Sequence, residues 1–352
     1  MKKFFLLPLA LLSVLLLATG CPNWEHEPQP YPYVTGTYVL TGGTPGSAGA
    51  TLLPYVYQSK EVPADLFGSA NGGKTLGATA EDMLCVNGYF YICATADQVL
   101  YKTDSLGRVL SEIVTPETAR SPRHVINYKD KLYVSYAEGF VAEIDTTTSA
   151  IRTLEVGGTP DGLCASNDKV YVALSGNTST SVAVIEARSF TSLPALTVAA
   201  NPRKMIALSD RIVYLLSDGD GAGEKSSLQV IDTKEDEISP LKSIRNAVDF
   251  TFSNRIVYVL QKMDAERYHI CPVDGDLRLA IQENILGSDV QVTPPTSFSA
   301  DPVNGFLFIG QQKANGEGSL LVFSPNGSYL DTFPSGSSAP AGTYFSTSIR
   351  YL

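Results

Sequence analysis

Between Ser121 and Val156 short apolar runs alternate with polar breaks. The runs are His124–Tyr128, Leu132–Ala137, Phe140–Asp145 and Ile151–Val156, parted by Lys129-Asp130, Glu138-Gly139 and a Thr-rich turn. Runs of this length, rich in Val, Ile, Tyr and Phe and bounded by turn residues, predict short antiparallel strands. Four of them in 36 residues make one small sheet of meander type. The rest of the chain repeats that unit. SPRHVINYKDKLYV recurs as TPDGLCASNDKVYV and NPRKMIALSDRIVY, with fainter copies TAEDMLCVNGYFYI, NAVDFTFSNRIVYV and PTSFSADPVNGFLF.

The residue that opens the second strand falls at Tyr89, Lys131, Lys169, Arg211, Arg255 and Gly305, in steps of 42, 38, 42, 44 and 50. A period in the forties with four strands per repeat predicts a β-propeller rather than a helical solenoid. The blades run over about 79–114, 121–156, 159–198, 201–241, 245–285 and 295–333.

One further blade is split. Gly36 to Phe67 offers three strands, Tyr38–Leu40, Leu52–Gln58 and Glu61–Phe67, with no inner strand before them. Thr343 to Leu352 is a lone strand with nothing after it. Joined, they give a composite blade whose inner strand is C-terminal. The fold class expected is therefore all-β: a seven-bladed propeller over 36–352 of four-stranded antiparallel blades, its ring closed by N- and C-terminal strands.

The start of the chain does not fit this pattern. Lys2 and Lys3 precede an apolar run from Phe4 to Leu17, then Ala18-Thr19-Gly20-Cys21. This reads as a signal peptide over 1–20, with Cys21 the lipidated N-terminus of a bacterial lipoprotein, in preference to an ordinary secretory signal or a membrane span. Residues 21–35, proline-rich through Tyr33, read as a tether that forms neither helix nor central strand. Removing the signal leaves 24 Lys and Arg against 36 Asp and Glu, a net charge of −12. That balance repels nucleic acid and anionic lipid, and the lipid anchor is the only membrane contact expected.

Besides Cys21 there are four cysteines. A two-residue Asn87-Gly88 hairpin sets Cys85 opposite Phe90, not Cys93, so free thiols are expected.

Several motifs invite chemistry. Gly68 to Thr75 (GSANGGKT) matches a phosphate-binding loop letter for letter, but no helix pattern follows, and it reads as a linker between blades. Asp218-Gly219-Asp220-Gly221-Ala222-Gly223-Glu224 reads as a solvated loop rather than a calcium site, and no metal is expected. His26, His124 and His269 have no zinc spacing, and no nucleophile elbow occurs.

The channel mouth is more informative. After the proline position of the first four repeats, held by Ala80 in the first, stand Glu81, Arg123, Asp161 and Arg203, then Asp82, His124, Gly162 and Lys204. Later blades offer Ala247, Val248, Thr296, Ser297 and Phe298, an uncharged arc. Such a rim serves either as an ion-pair ring or as a binding site for a large ligand with polar edges and an apolar face. Tyr136, Phe140 and Tyr268 flank the longer, dissimilar loops of the same face and are candidates to stack on a ligand or to fill the core. Glu81 and Asp161 form a carboxylate pair, but Arg123 between them would keep both ionised, so no catalytic residue is assigned and no enzyme is expected.

GTYVLTGG, TLGATAEDM and the SPRHV, TPDGL and NPRKM repeats together resemble YncE-like surface lipoproteins of Bacteroidetes, over Gly36 to Leu352. The resemblance implies a seven-bladed propeller facing the cell exterior on the outer membrane. It includes cobalamin-binding members that pass a corrinoid to a TonB-dependent outer-membrane transporter. It implies that ligand and that partner here, with the corrinoid as cargo and not as cofactor. The alternatives are a scaffold for protein or glycan and, further off, a lactonase- or lyase-type enzyme.

Overall fold

A computed structural model of the chain describes residues 29–43, 49–116, 118–223, 225–238, 244–264, 267–274, 283–287 and 290–351. The signal segment, Cys21 and most of the expected tether lie outside the described residues. Among the described residues no helix is long and apolar enough to cross a membrane.

Among the described residues the strands gather into seven antiparallel sheets. In four of them the strands follow chain order, as expected: Asp82–Val86 to Val109–Ile113, Pro122–Tyr128 to Ile151–Glu155, Thr159–Ser166 to Thr191–Thr197, and Pro295–Ala300 to Tyr329–Gly336. Pro202–Ala207 opens a sheet of five strands and Ala247–Ser253 one of three. The last sheet is composite: Pro30–Thr41 lies between Leu52–Pro54 and the C-terminal Pro340–Tyr351.

Local chemistry explains the hairpins. Asn87-Gly88, Lys129-Asp130, Asn167-Asp168 and Asn254-Arg255 all have both φ angles between 49° and 78°. These are type I′ turns, whose twist matches that of the strands they join. They fix register, and Cys85 does face Phe90. Cys85, Cys93, Cys164 and Cys271 are free.

The core lies between neighbouring sheets. Tyr91 and Cys93 pack with Val125, Leu132 and Val134 of the next sheet, and Tyr133 packs with Leu163 and Val170 of the one after. The composite sheet packs on both sides: Leu40 and Leu52 against Met83 and Phe90, Val39 and Leu53 against Phe308 and Leu320. Burial of these aliphatic and aromatic faces holds each sheet to the next.

A hydrogen bond crosses every boundary between successive sheets. Val125 N–H donates to Asp82 Oδ2 (3.0 Å), and His124 Nε2 meets Asp161 Oδ1 (2.9 Å). Ser166 Oγ donates to Ser209 O (2.8 Å), Lys204 Nζ to Asp249 Oδ1 (2.7 Å) and Ser253 Oγ to Asp301 O (2.6 Å). Thr296 Oγ1 donates to Pro340 O (2.8 Å), and Tyr344 OH returns to Asp82 Oδ1 (2.9 Å). The C-terminal strand is thus the inner strand of the composite sheet, as its sequence predicts.

Two expectations fail locally. Glu61–Phe67 is not a strand, and of Leu52–Gln58 only Leu52–Pro54 is strand, with one further bond from Tyr55 N–H to Thr37 O (2.9 Å). Pro54 and Pro63 lack the N–H a ladder needs. The helix Leu66–Ala70 stands there instead, capped by Asp65, which accepts N–H bonds from Leu52, Phe67 and Gly68. Pro30–Tyr33 of the expected tether is strand. Among the described residues the strand pairs with Leu52–Pro54 only from Tyr38 to Leu40, so on that side Pro30 and Pro32 interrupt no ladder. Val34–Thr347 form one compact unit, and the chain up to Tyr33 with that from Ser348 forms another.

Candidate functional site

The inner strands share one irregularity. Pairing register shifts between Pro122 and Val125, Pro160 and Leu163, Pro202 and Lys204, Ala247 and Asp249, and Pro295 and Ser297. In the first repeat, Glu81 N–H bonds Cys93 O, the residue that already faces Asp82. A bulge at each strand start re-aims side chains, so two successive residues face the channel instead of one. The freed His124 N–H is taken up by Ser135 Oγ at 3.2 Å.

The result is a cavity of about 750 Å³ at the channel mouth. Glu81, Asp82, Arg123, His124, Asp161, Arg203 and Lys204 all line it, as the repeat alignment places them. Five of them are joined in series, and Arg203 and Lys204 pair separately. Arg123 Nε lies 2.8 Å from Glu81 Oε2, and its Nη1 lies 3.2 Å from Asp161 Oδ2. His124 sits between carboxylates, its Nε2 2.9 Å from Asp161 and its Nδ1 3.5 Å from Asp82. Arg203 reaches Asp218 Oδ2 (2.9 Å) and Val248 O (2.8 Å). Lys204 donates to Asp249 and to Phe298 O (3.2 Å).

These contacts fix the charges. Desolvation opposes a charged His124, but hydrogen bonds and the negative charge of Asp161 and Asp82 outweigh it and raise its pKa to about 9. Burial likewise opposes a charged Asp161, yet His124 and Arg123 hold its carboxyl below the ordinary range. The cavity wall thus carries four acidic side chains (Glu81, Asp82, Asp161, Asp249) and four basic ones (Arg123, His124, Arg203, Lys204).

The opposite arc is built of small residues, among them Thr296, Ser297, Ala341, Gly342 and Thr343. It is less uncharged than the sequence suggested, because the bulge turns Asp249 inward. Ala247 is wholly buried, and the Phe298 ring belongs to the core, only its carbonyl meeting Lys204. Thr343 Oγ1 is buried against the cavity and has no hydrogen-bond partner among the described residues. Tyr344 is the residue the repeat alignment missed: its hydroxyl donates to Asp82, and burial and that carboxylate push its pKa well up. Its place two positions beyond Gly342 on the inner strand was the available signal.

Of the two readings of the three aromatic candidates, the structure has the core one. Tyr136 is buried with Val125, Leu132 and Val134, with Phe140 packed on the same cluster, and Tyr268 packs with Leu260 and Ile270. They pair across strands and fill the space between sheets. His269 faces Gln261 on the second strand, away from the rim, and His26 lies outside the described residues.

The other motifs resolve simply. In the GSANGGKT stretch a short helix, Leu66–Ala70, contains Gly68 and ends before Gly72 and Gly73 rather than following them, and Lys74 pairs with Glu112. Asp218 is engaged by Arg203, and Asp220 Oδ1 accepts from Ala222 and Gly223 N–H. Glu224 lies outside the described residues, among which no group of three His, Cys, Asp or Glu is placed to hold a metal. A second depression of about 460 Å³, lined by Asp218, Val248, Lys262 and Met263, adjoins the rim through Arg203.

Residues 35–239, more than half of the chain, match the family described as Domain of unknown function (DUF5074). The chain belongs to the DUF5074 family. No curated protein matches it.

Solved structures share the fold of this DUF5074 protein. A quinonprotein alcohol dehydrogenase-like protein of Bacteroides thetaiotaomicron VPI-5482 is 15% identical over 90% of this chain and 79% of its own, with a TM-score of 0.67. A protein assigned as a 6-phosphogluconolactonase, from Bacteroides fragilis NCTC 9343, is 12% identical over 88% of this chain and 98% of its own, TM-score 0.62. Kuenenia stuttgartiensis hydrazine synthase is 15% identical over 85% and 99%, TM-score 0.60. At these identities the likeness is one of fold, and it makes this a β-propeller family.

Proposed function

We propose that this DUF5074 protein is a surface-exposed lipoprotein, anchored to the outer membrane through Cys21. It binds a corrinoid at the channel mouth and passes it to a TonB-dependent transporter. The observation that supports this reading is the rim itself. An arc of paired charges offers donors and acceptors for amide edges. It faces an arc of small residues with an unpaired, buried Thr343 hydroxyl. A buried polar atom without a partner calls for one. A corrinoid exceeds the cavity, so part of it would rest on the adjoining loops around Asp218 and Met263. The resemblance to YncE-like lipoproteins supplies the ligand class and the transporter.

Catalysis is not part of the proposal. Arg123 bridges Glu81 and Asp161, and with His124 it holds the Asp161 carboxyl below its ordinary range, which does not suit Asp161 to act as an acid.

The test is calorimetric titration of the purified protein with cyanocobalamin, beside a thermal melt, for wild type and Arg123→Ala. Sub-micromolar binding that weakens by about 1–3 kcal/mol in the variant is expected, since a charged donor leaves a largely desolvated site. Micromolar or weaker binding by the wild type refutes the ligand. A variant that melts lower but binds unchanged leaves the rim as an ion-pair ring. For the anchor, Cys21→Ala is expected to move the protein from the detergent phase to the aqueous phase with its melt unchanged.

A further inference from the structure

The outer ends of the first and last strands carry apolar side chains in water. Tyr31, Tyr33, Ile349 and Tyr351 are 48, 36, 58 and 69% exposed, and all lie in the unit formed by the chain up to Tyr33 and from Ser348. On one face the Arg350 guanidinium stands 5.1 Å from the Tyr31 ring centroid and 5.6 Å from that of Tyr33. Strand alternation puts Ile349 and Tyr351 on the other face. Both faces of a narrow ribbon therefore present apolar bodies. A two-stranded ribbon is marginal in water alone, and clustered exposed apolar surface marks a contact.

The side chains and the chain length point to one partner. Tyrosine with its apolar ring and polar tip, beside an arginine, suits the boundary between acyl chains and headgroups. Only nine residue steps separate Cys21 from Pro30 (30 − 21 = 9). Nine residues span at most about 32 Å when fully extended. An acylated Cys21 would thus keep the ribbon beside the bilayer, and to that extent the argument rests on the lipoprotein reading. We propose that the Tyr31, Tyr33, Ile349, Arg350 and Tyr351 ribbon seats in the headgroup layer of a lipid surface, a local contact made by its tyrosines and one arginine against the overall repulsion of a mature chain with net charge −12. It is a second, non-covalent membrane contact that sets how the anchored protein stands on the membrane. Arg350 supplies the charge complement to phosphate.

The experiment uses the mature chain with Cys21→Ser, which carries no acyl group, sedimented with vesicles of phosphatidylethanolamine and phosphatidylglycerol. The wild-type ribbon is expected to partition to the vesicles. Tyr31→Ser/Tyr33→Ser/Tyr351→Ser is expected to lower that partition at least tenfold, with an unchanged melt because all three side chains are exposed. Arg350→Gln is expected to remove most of its salt dependence. No partition by the wild-type ribbon, or equal partition by the triple variant, overturns the proposal. So does ribbon-dependent binding to a detergent-solubilised transporter without vesicle binding, which would make it a protein-docking surface. The mass of native protein is read separately. A Cys21 without diacylglycerol removes the anchor reading and leaves the vesicle result to stand alone.

Discussion

His124 Nε2 lies 2.9 Å from Asp161 Oδ1, across the boundary between two sheets. The pair ties neighbouring inner strands together at the cavity wall. Its strength depends on the imidazolium, whose pKa rises from 6.5 to about 9 against Asp161 and Asp82. A group with a raised folded-state pKa contributes fully below its unfolded value and loses that contribution as pH climbs through the folded one. Melting temperature is therefore expected to fall between pH 6.5 and about 9, and His124→Asn to flatten that slope. A wild-type melt that is level across this window would contradict the ion pair.

Gly162 stands where the backbones of two neighbouring inner strands approach closely. A Cβ there would lie 2.4 Å from Arg203 O and 3.0 Å from Lys204 Cα, both backbone atoms that cannot swing aside. Gly162→Ala is expected to cost about 1–3 kcal/mol by overpacking. Urea denaturation measures it, and an unchanged midpoint would show that the sheets can part without penalty.

Tyr344 fastens the C-terminal strand to the first complete repeat through its 2.9 Å hydrogen bond to Asp82. Tyr344→Phe keeps the ring and removes the donor, at an expected cost of about 1.5–3 kcal/mol for a bond to a carboxylate. Deleting residues 344–352 removes most of an inner strand and should abolish cooperative unfolding. If the truncated chain melts at the wild-type temperature, closure through this strand is wrong.

Asp65 holds the chain where an outer strand was expected, accepting from Leu52, Phe67 and Gly68 N–H. Asp65→Ala is expected to lose about 1–2 kcal/mol, as for other helix caps. Amide exchange at Phe67 and Gly68 should rise first, and uniform exchange across the whole chain would argue against a local role.

The sequence alone determined the repeat, the hairpins and the closing strand. Those features are local: period-two alternation marks a strand, and Asn-Gly or Asn-Asp type dipeptides suit type I′ turns wherever they fall. The rim residues Glu81, Asp82, Arg123, His124, Asp161, Arg203 and Lys204 were legible because equivalent positions in a repeat occupy equivalent places in a ring. Tertiary structure decided what each of them meets. The bulges turn successive residues into the channel, which brings Asp249 to Lys204, 45 positions away. Ring closure brings Tyr344 to Asp82 across 262 positions. It also decided that Tyr136, Phe140 and Tyr268 fill the space between sheets, because one strand pattern serves either face until neighbouring sheets claim it. At Pro54 and Pro63 the missing N–H groups prevailed over the apolar pattern, and a capped helix stands in place of a strand.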